Sequence, residues 1–294
     1  MSPLWPLYIE PFIRRVAPSR VMQVGAGDGD GSLRLLAYCR EGGCVADLID
    51  VRADPSLGDK LAPFADLHVF TRLLPLKAIQ MAEHPDLVVI EGEPNWSTIS
   101  RALDLFRRLG AERGRPYPFA LIRNTGWPYG RRDMYPKPDA VEEKHPFAYQ
   151  GVDPDQQGLV EGGINAGFAH ALHEGGPQNG VLTAIEDFIA NAPFEVDFWS
   201  LPYFGGLGIL APRSRTAPEL KALVDSFFTA EALTLAGHAL EAETFGLQAR
   251  LAEAESRLAR RTGALKRARE LLDKQDAQIS ALSKQLGAKS KAGG

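Results

Sequence analysis

Short apolar runs alternate with longer amphipathic stretches along most of the chain, and this alternation constrains the fold more than any other feature. The runs are rich in Val, Ile and Leu, which is typical of strands that are buried on both faces of a parallel sheet. Strands are predicted near Val21–Val24, Val45–Ile49, Leu67–Phe70, Leu87–Ile90, Phe119–Ile122, Val196–Ser200 and Leu207–Leu210. Helices are predicted over Ser32–Cys39, Pro55–Ala62, Leu74–Ala82, Ser97–Leu109 and Leu182–Ala190. The pattern predicts an α/β fold with a seven-stranded, mainly parallel sheet and helices on both faces.

A glycine-rich turn follows the first predicted strand, with the sequence Gly25-Ala26-Gly27-Asp28-Gly29-Asp30-Gly31. Glycine lets the backbone approach a ligand where a Cβ would collide. A dinucleotide fingerprint needs a third glycine where Asp30 stands, and no Gly-Lys-Ser/Thr follows as a P-loop requires. Asp50 ends the second strand about twenty residues on, where a carboxylate can accept from ribose hydroxyls. The turn therefore favours a ribose-bearing ligand and disfavours NAD and P-loop nucleotides.

Composition excludes several classes of protein. The net charge of −4 gives no reason to expect nucleic-acid or membrane binding. Cys39 and Cys44 are the two cysteines, too few for a disulfide framework or a multi-cysteine zinc site, and we expect both to be small buried hydrophobes. With no long apolar run and no signal-peptide pattern at the start, a cytoplasmic protein without membrane insertion is expected.

The C-terminal part of the chain has a heptad pattern and a basic charge. From Gly246 onward there are 11 Lys/Arg and 5 Asp/Glu, a net of +6, which leaves −10 for residues 1–245. One seam position carries Leu251, Leu258, Leu265, Leu272, Ile279 and Leu286. The other carries Leu247, Ala254, Arg261, Ala268, Gln275 and Leu282. This spacing predicts a coiled coil that pairs with a second copy or a partner protein, or a lone amphipathic helix packed on the body.

The segment from Asn124 to about Gly180 loses the strand–helix pattern and becomes rich in Pro, Gly and Tyr. It is too long for an ordinary connection, so we expect a substrate-binding or lid insertion. Aromatic, guanidinium and amide groups in it form a platform for a hydroxyl-rich ligand. The predicted substrate-binding residues are Trp127, Tyr129, Arg131, Arg132, Asn165 and Asn179, and Asn179 is also predicted to cap the next helix.

The glycine turn followed by Asp50 resembles the class I S-adenosylmethionine (SAM) methyltransferases. The strings Trp127-Pro128-Tyr129-Gly130-Arg131-Arg132-Asp133 and Asn179-Gly180-Val181-Leu182-Thr183-Ala184 resemble a bacterial branch of cephalosporin hydroxylase-like and macrocin O-methyltransferase-like proteins. The resemblance covers Val21 to Ala211 and implies a Rossmann-like fold and SAM as cofactor. It also implies a sugar, glycan or related small molecule as acceptor. The cofactor-binding residues it implies are Gln23, Gly25, Ala26, Gly27, Asp28, Asp50 and Glu91.

Glu91 and Glu93 follow the fourth strand, at the sheet edge where open α/β sheets bind ligands. They are candidates for catalysis and for binding a divalent cation such as Mg²⁺, or they are solvated loop residues. The chain departs from the family pattern at Gln23, where an acid is usual, and at Arg123-Asn124, where the relatives commonly have His-Asp. A guanidinium and a neutral amide there disfavour a metal-assisted mechanism.

Methyl transfer to a hydroxyl needs a base to take up the proton. His173 and Asp133 are further catalytic candidates, with His170 beside them, whereas His68 and His84 are interpreted as structural. The function predicted is a SAM-dependent O-methyltransferase. The alternative is a catalytically impaired scaffold that oligomerises or recruits a partner through its basic coiled coil. A sugar-nucleotide transferase that uses Glu91 and Glu93 as a cation clamp is a weaker third hypothesis, because it leaves the glycine turn and Asp50 unexplained.

The predicted domain organisation follows from these patterns. Residues 1–20 are expected to be an N-terminal helical segment and residues 21–215 the methyltransferase-like domain, with the insertion at 124–180. Residues 216–286 are expected to form the C-terminal helix and coiled coil, and residues 287–294 a disordered tail.

Overall fold

The structure is a computed structural model, which describes residues 4–27 and 29–292, with side chains through Ser280. The chain divides into two units, residues up to Ala236 and residues from Gly237 onward. No helix within the described residues is long and apolar enough to cross a membrane.

The seven predicted strands and the helices between them lie close to their predicted positions, and five further strands lie in the insertion. The strands are β1 (Arg20–Val24), β2 (Val45–Ile49), β3 (His68–Thr71), β4 (Leu87–Ile90), β5 (Phe119–Arg123), β6 (Met134–Tyr135), β7 (Phe147–Ala148), β8 (Gly151–Val152), β9 (Leu159–Val160), β10 (Ala169–Ala171), β11 (Val196–Leu201) and β12 (Leu207–Pro212). After a π-helical segment at Trp5–Ile9, the α-helices are α1 (Glu10–Val16), α2 (Asp30–Gly42), α3 (Leu57–Leu61), α4 (Pro75–Met81), α5 (Trp96–Glu112), α6 (Val181–Asn191), α7 (Pro218–Ser226) and α8 (Ala230–Ala292).

The large sheet has seven strands in the order β11-β12-β5-β4-β1-β2-β3. β1 pairs in parallel with β2 and β4, β2 with β3, and β4 with β5, whereas β12 runs antiparallel to both of its neighbours. This is the doubly wound, Rossmann-like topology, with a switch point between β1 and β4. The predicted fold class is confirmed.

Both faces of the sheet are covered, because the central strands are apolar on both sides. One buried cluster joins Val21, Val89 and Leu121 of the sheet to α1, α2, α3 and α7. The other joins the opposite face to α4, α5 and α6. The sequence also fixes the start of helix α5, because the Asn95 side chain accepts a 2.8 Å hydrogen bond from the backbone N–H of Thr98 and caps the helix.

The insertion contains more regular structure than its composition predicts. Strands β6, β10 and β7 form a three-stranded sheet, and β8 and β9 form a hairpin pair. Two- and three-residue strands carry too few side chains to produce a readable period. The predicted cap of α6 is wrong: Gly180 occupies the N-cap position, and the Asn179 side chain points elsewhere.

The cysteines differ from the prediction in one respect. Cys39 and Cys44 are buried, as expected, but they form a disulfide across the end of α2. Helix α2 ends with Gly43 in the left-handed conformation, which turns the chain back so that the two Cα atoms lie 4.4 Å apart. Sequence spacing alone does not reveal this reversal.

The C-terminal part forms two helices, since α7 ends at Ser226 before α8 begins at Ala230. Helix α8 continues to Ala292, past the predicted end at residue 286, and residues 293–294 of the predicted tail lie outside the described residues. Its 63 residues span about 95 Å at 1.5 Å per residue.

Candidate functional site

A cavity of about 320 Å³ opens at the carboxyl ends of β1, β2 and β4. The glycine turn and the β4–α5 loop both contribute to its lining. It lies at the topological switch point, where open α/β sheets bind ligands. Of the predicted cofactor residues, Gly25, Ala26, Gly27, Asp50 and Glu91 line this cavity. Asp28 lies outside the described residues.

Glycine at position 25 is required by close backbone contact. Its φ is +89°, and a Cβ there would lie 2.5 Å from the backbone nitrogen of Gly92. The ends of β1 and β4 are held together by hydrogen bonds from the N–H groups of Glu91 and Gly92 to the carbonyl of Val24. Gly27 also has a positive φ, and a Cβ there would meet no heavy atom within 4 Å. The turn thus packs against β4 at Gly25 and is open at Gly27.

Asp50 fixes the shape of the turn. Its Oδ2 accepts from the backbone N–H groups of Ala26, at 2.9 Å, and Gly27, at 3.2 Å. Its Oδ1 accepts from the N–H of Arg52 at 2.8 Å. The carboxylate therefore organises the backbone around the cavity, a role that its predicted contact with ribose does not include.

Glu91 is a buried carboxylate that protein groups already engage. Gln23 donates to Oε2 at 2.8 Å, Trp5 donates from its indole, and Arg123 Nη1 lies 3.6 Å from Oε1. Burial raises the pKa of Glu91, against the opposing effect of Arg123. Gln23 in turn accepts from Ser32 and does not line the cavity. The predicted cofactor contact of Gln23 is replaced by a structural one.

Glu93 is a different kind of acid. Within the described residues no donor forms a hydrogen bond to its carboxylate, and its backbone has a φ of +54°, a strained conformation for a side-chain-bearing residue. Burial raises its pKa and the charge of Asp50 raises it further, while Arg52 and Lys137 lower it. A partly buried, unbonded acid with a raised pKa at a cavity wall is suited to proton transfer.

The donor set does not suit a divalent cation. Glu91 is engaged by Gln23, Trp5 and Arg123, and the guanidinium of Arg123 adds a positive charge beside it. Nowhere in the described part of the chain do three His, Cys, Asp or Glu side chains come together as a metal site needs. The residues predicted to bind Mg²⁺, Glu91 and Glu93, therefore do not fit that role.

Asp133 and His173, the other catalytic candidates, lie away from the cavity lining. Asp133 is buried and accepts from the backbone N–H groups of Trp96 and Gly180, each at 2.7 Å, and from the Tyr135 hydroxyl at 2.8 Å. The side chain of His173 is exposed. The geometry gives Asp133 a structural role, joining α5 and α6 to the insertion.

We expect Asp133→Ala to lower the free energy of unfolding by about 3 kcal/mol or more, because three donors lose their buried acceptor. That corresponds to a Tm lower by about 6–12 °C, measurable by calorimetry. Asp139→Ala, at an exposed position of the same insertion, is the matched control and leaves Tm unchanged. An equal Tm for the two variants contradicts the structural role.

The predicted substrate-binding residues also lie outside the cavity lining. Arg132 is buried and donates to the carbonyls of Ala171 and Leu172. Asn179 accepts from the N–H of Asp133 and donates to the carbonyls of His173 and Gly175. Both side chains therefore hydrogen-bond one part of the insertion to another.

The remaining four predicted substrate residues divide between the interior and the surface. Tyr129 is buried and its hydroxyl accepts from Asn165 at 2.6 Å, and Arg131 pairs with Glu186. Trp127 and Asn165 are exposed. A string of polar and aromatic residues gives no sign of which side chains turn inward. The role of these residues in substrate binding stays a prediction.

Several cavity residues had no sequence signal as site residues. Trp5 lines the cavity from the N-terminal helical segment, and Arg52 lines it from the loop after β2. The Arg52 guanidinium lies over the ring of Phe168 in the insertion, 5.0 Å from its centre. Within the described residues Arg52 has no ion-pair partner. This stacked pair is a direct contact between the cavity lining and the insertion.

No protein-family model and no curated relative match the chain. Solved structures that are similar include a SAH-bound methyltransferase of Podospora anserina, with 14% identity and a TM-score of 0.44 over 72% of this chain and 80% of that one. An O-methyltransferase of Streptomyces achromogenes involved in tomaymycin synthesis, in complex with SAM, has 13% identity and a TM-score of 0.42 over 72% and 81%. An O-methyltransferase of Bacillus cereus in complex with SAH has 13% identity and a TM-score of 0.42 over 72% and 82%. Likenesses at this level are too weak to transfer an activity or a ligand.

Proposed function

We propose that the protein is a SAM-dependent O-methyltransferase. The observation that carries this proposal is the cavity at the switch point, where a glycine turn that is open at Gly27 stands beside the acid of β2, Asp50. A turn of this kind brings backbone within reach of a nucleoside, and neither a P-loop lysine nor the third glycine of the dinucleotide fingerprint is present.

The charge of the cavity supports a cationic cofactor. Among the described residues, the lining holds four carboxylates and three guanidiniums, a net formal charge of −1: Asp30, Asp50, Glu91 and Glu93, and Arg34, Arg52 and Arg123. SAM carries a sulfonium and an ammonium against one carboxylate, so its net charge is complementary. Its adenosyl part would be held by Gly25–Gly27 and Asp50. When bound, SAM supplies an activated methyl group.

The chain's own residues perform the other tasks. We assign the base to Glu93, whose carboxylate takes the proton of the acceptor hydroxyl, because it has no hydrogen-bond donor among the described residues and a raised pKa. Glu91 holds Arg123, Gln23 and Trp5 in place. Trp5 and Arg52 form parts of the cavity wall and reduce access of water.

We propose a sugar, a glycan or a related polyhydroxylated small molecule as the acceptor. The support is the stacked pair of Arg52 and Phe168, which offers an aromatic ring and a guanidinium that forms no ion pair within the described residues. The charge of Arg52 also acts on the cavity acid Glu93, whose pKa it lowers. Sugars bind such surfaces through C–H faces and hydroxyls.

Titration calorimetry with S-adenosylhomocysteine tests the cofactor claim, with NADH and a nucleotide-sugar as controls. We expect heat from S-adenosylhomocysteine alone. No heat at high protein concentration overturns the proposal, and heat from a nucleotide-sugar favours the transferase hypothesis instead. A second assay then follows methyl transfer from labelled SAM to a panel of sugars.

A further inference from the structure

One face of α8 exposes a row of large apolar side chains. Leu251, Leu258, Leu265, Leu272 and Ile279 are each 60–71% exposed and recur every seven residues. Such a stripe on a helix of 63 residues is the surface that a coiled coil buries. The seam is defined by two sets of residues. The first is Leu251, Leu258, Leu265, Leu272, Ile279 and Leu286, and the second is Leu247, Ala254, Arg261, Ala268, Gln275 and Leu282.

A parallel pair in register packs each seam residue against its own copy. Ala254 then faces Ala254, and Ala268 faces Ala268, so that two layers lack a large side chain and are poorly filled. Arg261 faces Arg261, which places two guanidiniums together in the core of the coil. Gln275 also faces Gln275, so four layers of the parallel pair have a small or a polar side chain from both copies.

An antiparallel pair removes all four of these layers. Among the residues with described side chains, the layers become Ala254 with Ile279, Leu258 with Gln275, Arg261 with Leu272, and Leu265 with Ala268. Every layer then holds at least one Leu or Ile, and each alanine faces a large side chain. Arg261 can lay its aliphatic stem along Leu272 and keep its charge in water.

The flank adds further apolar contact. Leu271, which is 62% exposed, comes opposite Ala264 of the second copy in this arrangement. The antiparallel arrangement also brings together one like-charge pair, Glu255 with Asp276 of the second copy. Both residues are exposed, so salt screens the repulsion.

We propose that α8 pairs with α8 of a second copy of this chain as an antiparallel two-stranded coiled coil. The pairing is independent of the function proposed for the cavity. It requires no partner of another kind, because the seam is complementary to itself when one copy is reversed.

The first test compares two adjacent substitutions in the full chain. Leu258 lies in the seam and Ala259 lies outside it, and both are exposed. We expect the wild type and Ala259→Lys to sediment as dimers, and Leu258→Lys to raise the dissociation constant by about 100-fold or more. A wild type that is monomeric throughout the micromolar range, or a Leu258→Lys protein as dimeric as Ala259→Lys, overturns the proposal.

The second test determines the orientation by disulfide trapping. An equimolar mixture of Ala254→Cys and Ile279→Cys proteins is expected to form a crosslinked heterodimer, while neither variant crosslinks to itself. Self-crosslinking of Ala254→Cys without the heterodimer shows a parallel pair and overturns the antiparallel assignment. Cys39 and Cys44 are joined to each other within one chain, so the wild type treated in the same way is expected to form no crosslink between chains.

In a third test, Glu255→Gln is expected to change the strength of association in opposite directions for the two orientations. In a parallel pair Glu255 lies across from Arg250 of the second copy, so Glu255→Gln removes an attraction and weakens association. In the antiparallel pair Glu255→Gln removes the repulsion from Asp276 and strengthens association. Weaker association of Glu255→Gln therefore contradicts the proposal.

Discussion

Replacing Asp50 by alanine is expected to weaken S-adenosylhomocysteine binding by at least about 100-fold, or about 2.7 kcal/mol. The carboxylate accepts from the N–H groups of Ala26 and Gly27, so its loss both unpairs the glycine turn and removes the acceptor proposed for the ribose. Calorimetry gives the dissociation constant directly. The matched control is Asp59→Ala, an exposed acid in α3 that is expected to bind as the wild type does.

Asp50→Asn separates the two contributions of this residue. The amide keeps one oxygen that can accept from the turn but loses the charge, so we expect binding between that of the wild type and that of Asp50→Ala. Wild-type affinity in a folded Asp50→Ala protein contradicts the role assigned to Asp50, and with it the orientation proposed for the cofactor.

Replacing Glu93 by glutamine is expected to lower the turnover rate by a factor of about 10²–10⁴ and to leave S-adenosylhomocysteine affinity nearly unchanged. The same change is expected to stabilise the protein at neutral pH, because the wild type keeps a desolvated carboxylate that no donor among the described residues hydrogen-bonds. Turnover is measured with labelled SAM on an acceptor from the sugar panel, and stability by denaturant unfolding. Full turnover in Glu93→Gln excludes Glu93 as the base.

The stability effect has a defined pH dependence. The pKa of Glu93 in the folded protein is raised above its ordinary value of 4.5, so the folded state binds the proton more tightly than the unfolded state does. The cost of ionising Glu93 is absent below pH 4.5, grows as the pH rises through the raised pKa, and is complete above it. The stability advantage of Glu93→Gln is therefore expected to appear above about pH 4.5 and to reach its full size above the raised pKa.

Glu91→Gln provides the contrasting variant two residues away. Burial raises the pKa of Glu91 too, but its carboxylate accepts from Gln23 and Trp5 and lies 3.6 Å from Nη1 of Arg123, which would lose its counter-charge. We therefore expect Glu91→Gln to be less stable than Glu93→Gln. Similar stability changes in the two variants contradict the division of roles between these acids. Glu93→Gly also relieves the strain of the positive φ, so we expect this variant to be about 1 kcal/mol more stable than Glu93→Gln.

The sequence by itself determined the sheet, the glycine turn and the long C-terminal helix. Each depends on a local period or on a conformational property of single residues: apolar runs for buried strands, φ freedom at Gly25 and Gly27, and a seven-residue repeat along α8. These signals lie within a few residues of the structure they specify. The boundaries of the seven predicted strands accordingly differ from the observed ones by at most two residues.

Only the tertiary structure decided which polar groups are available for chemistry. Glu91 and Glu93 are equivalent in the sequence, yet Gln23, Trp5 and Arg123 converge on the first alone. The same holds for Asp133, whose string predicted catalysis and whose three donors come from distant or buried positions. Whether a carboxylate is engaged or unbonded depends on contacts between residues far apart in the chain, and no local pattern encodes them.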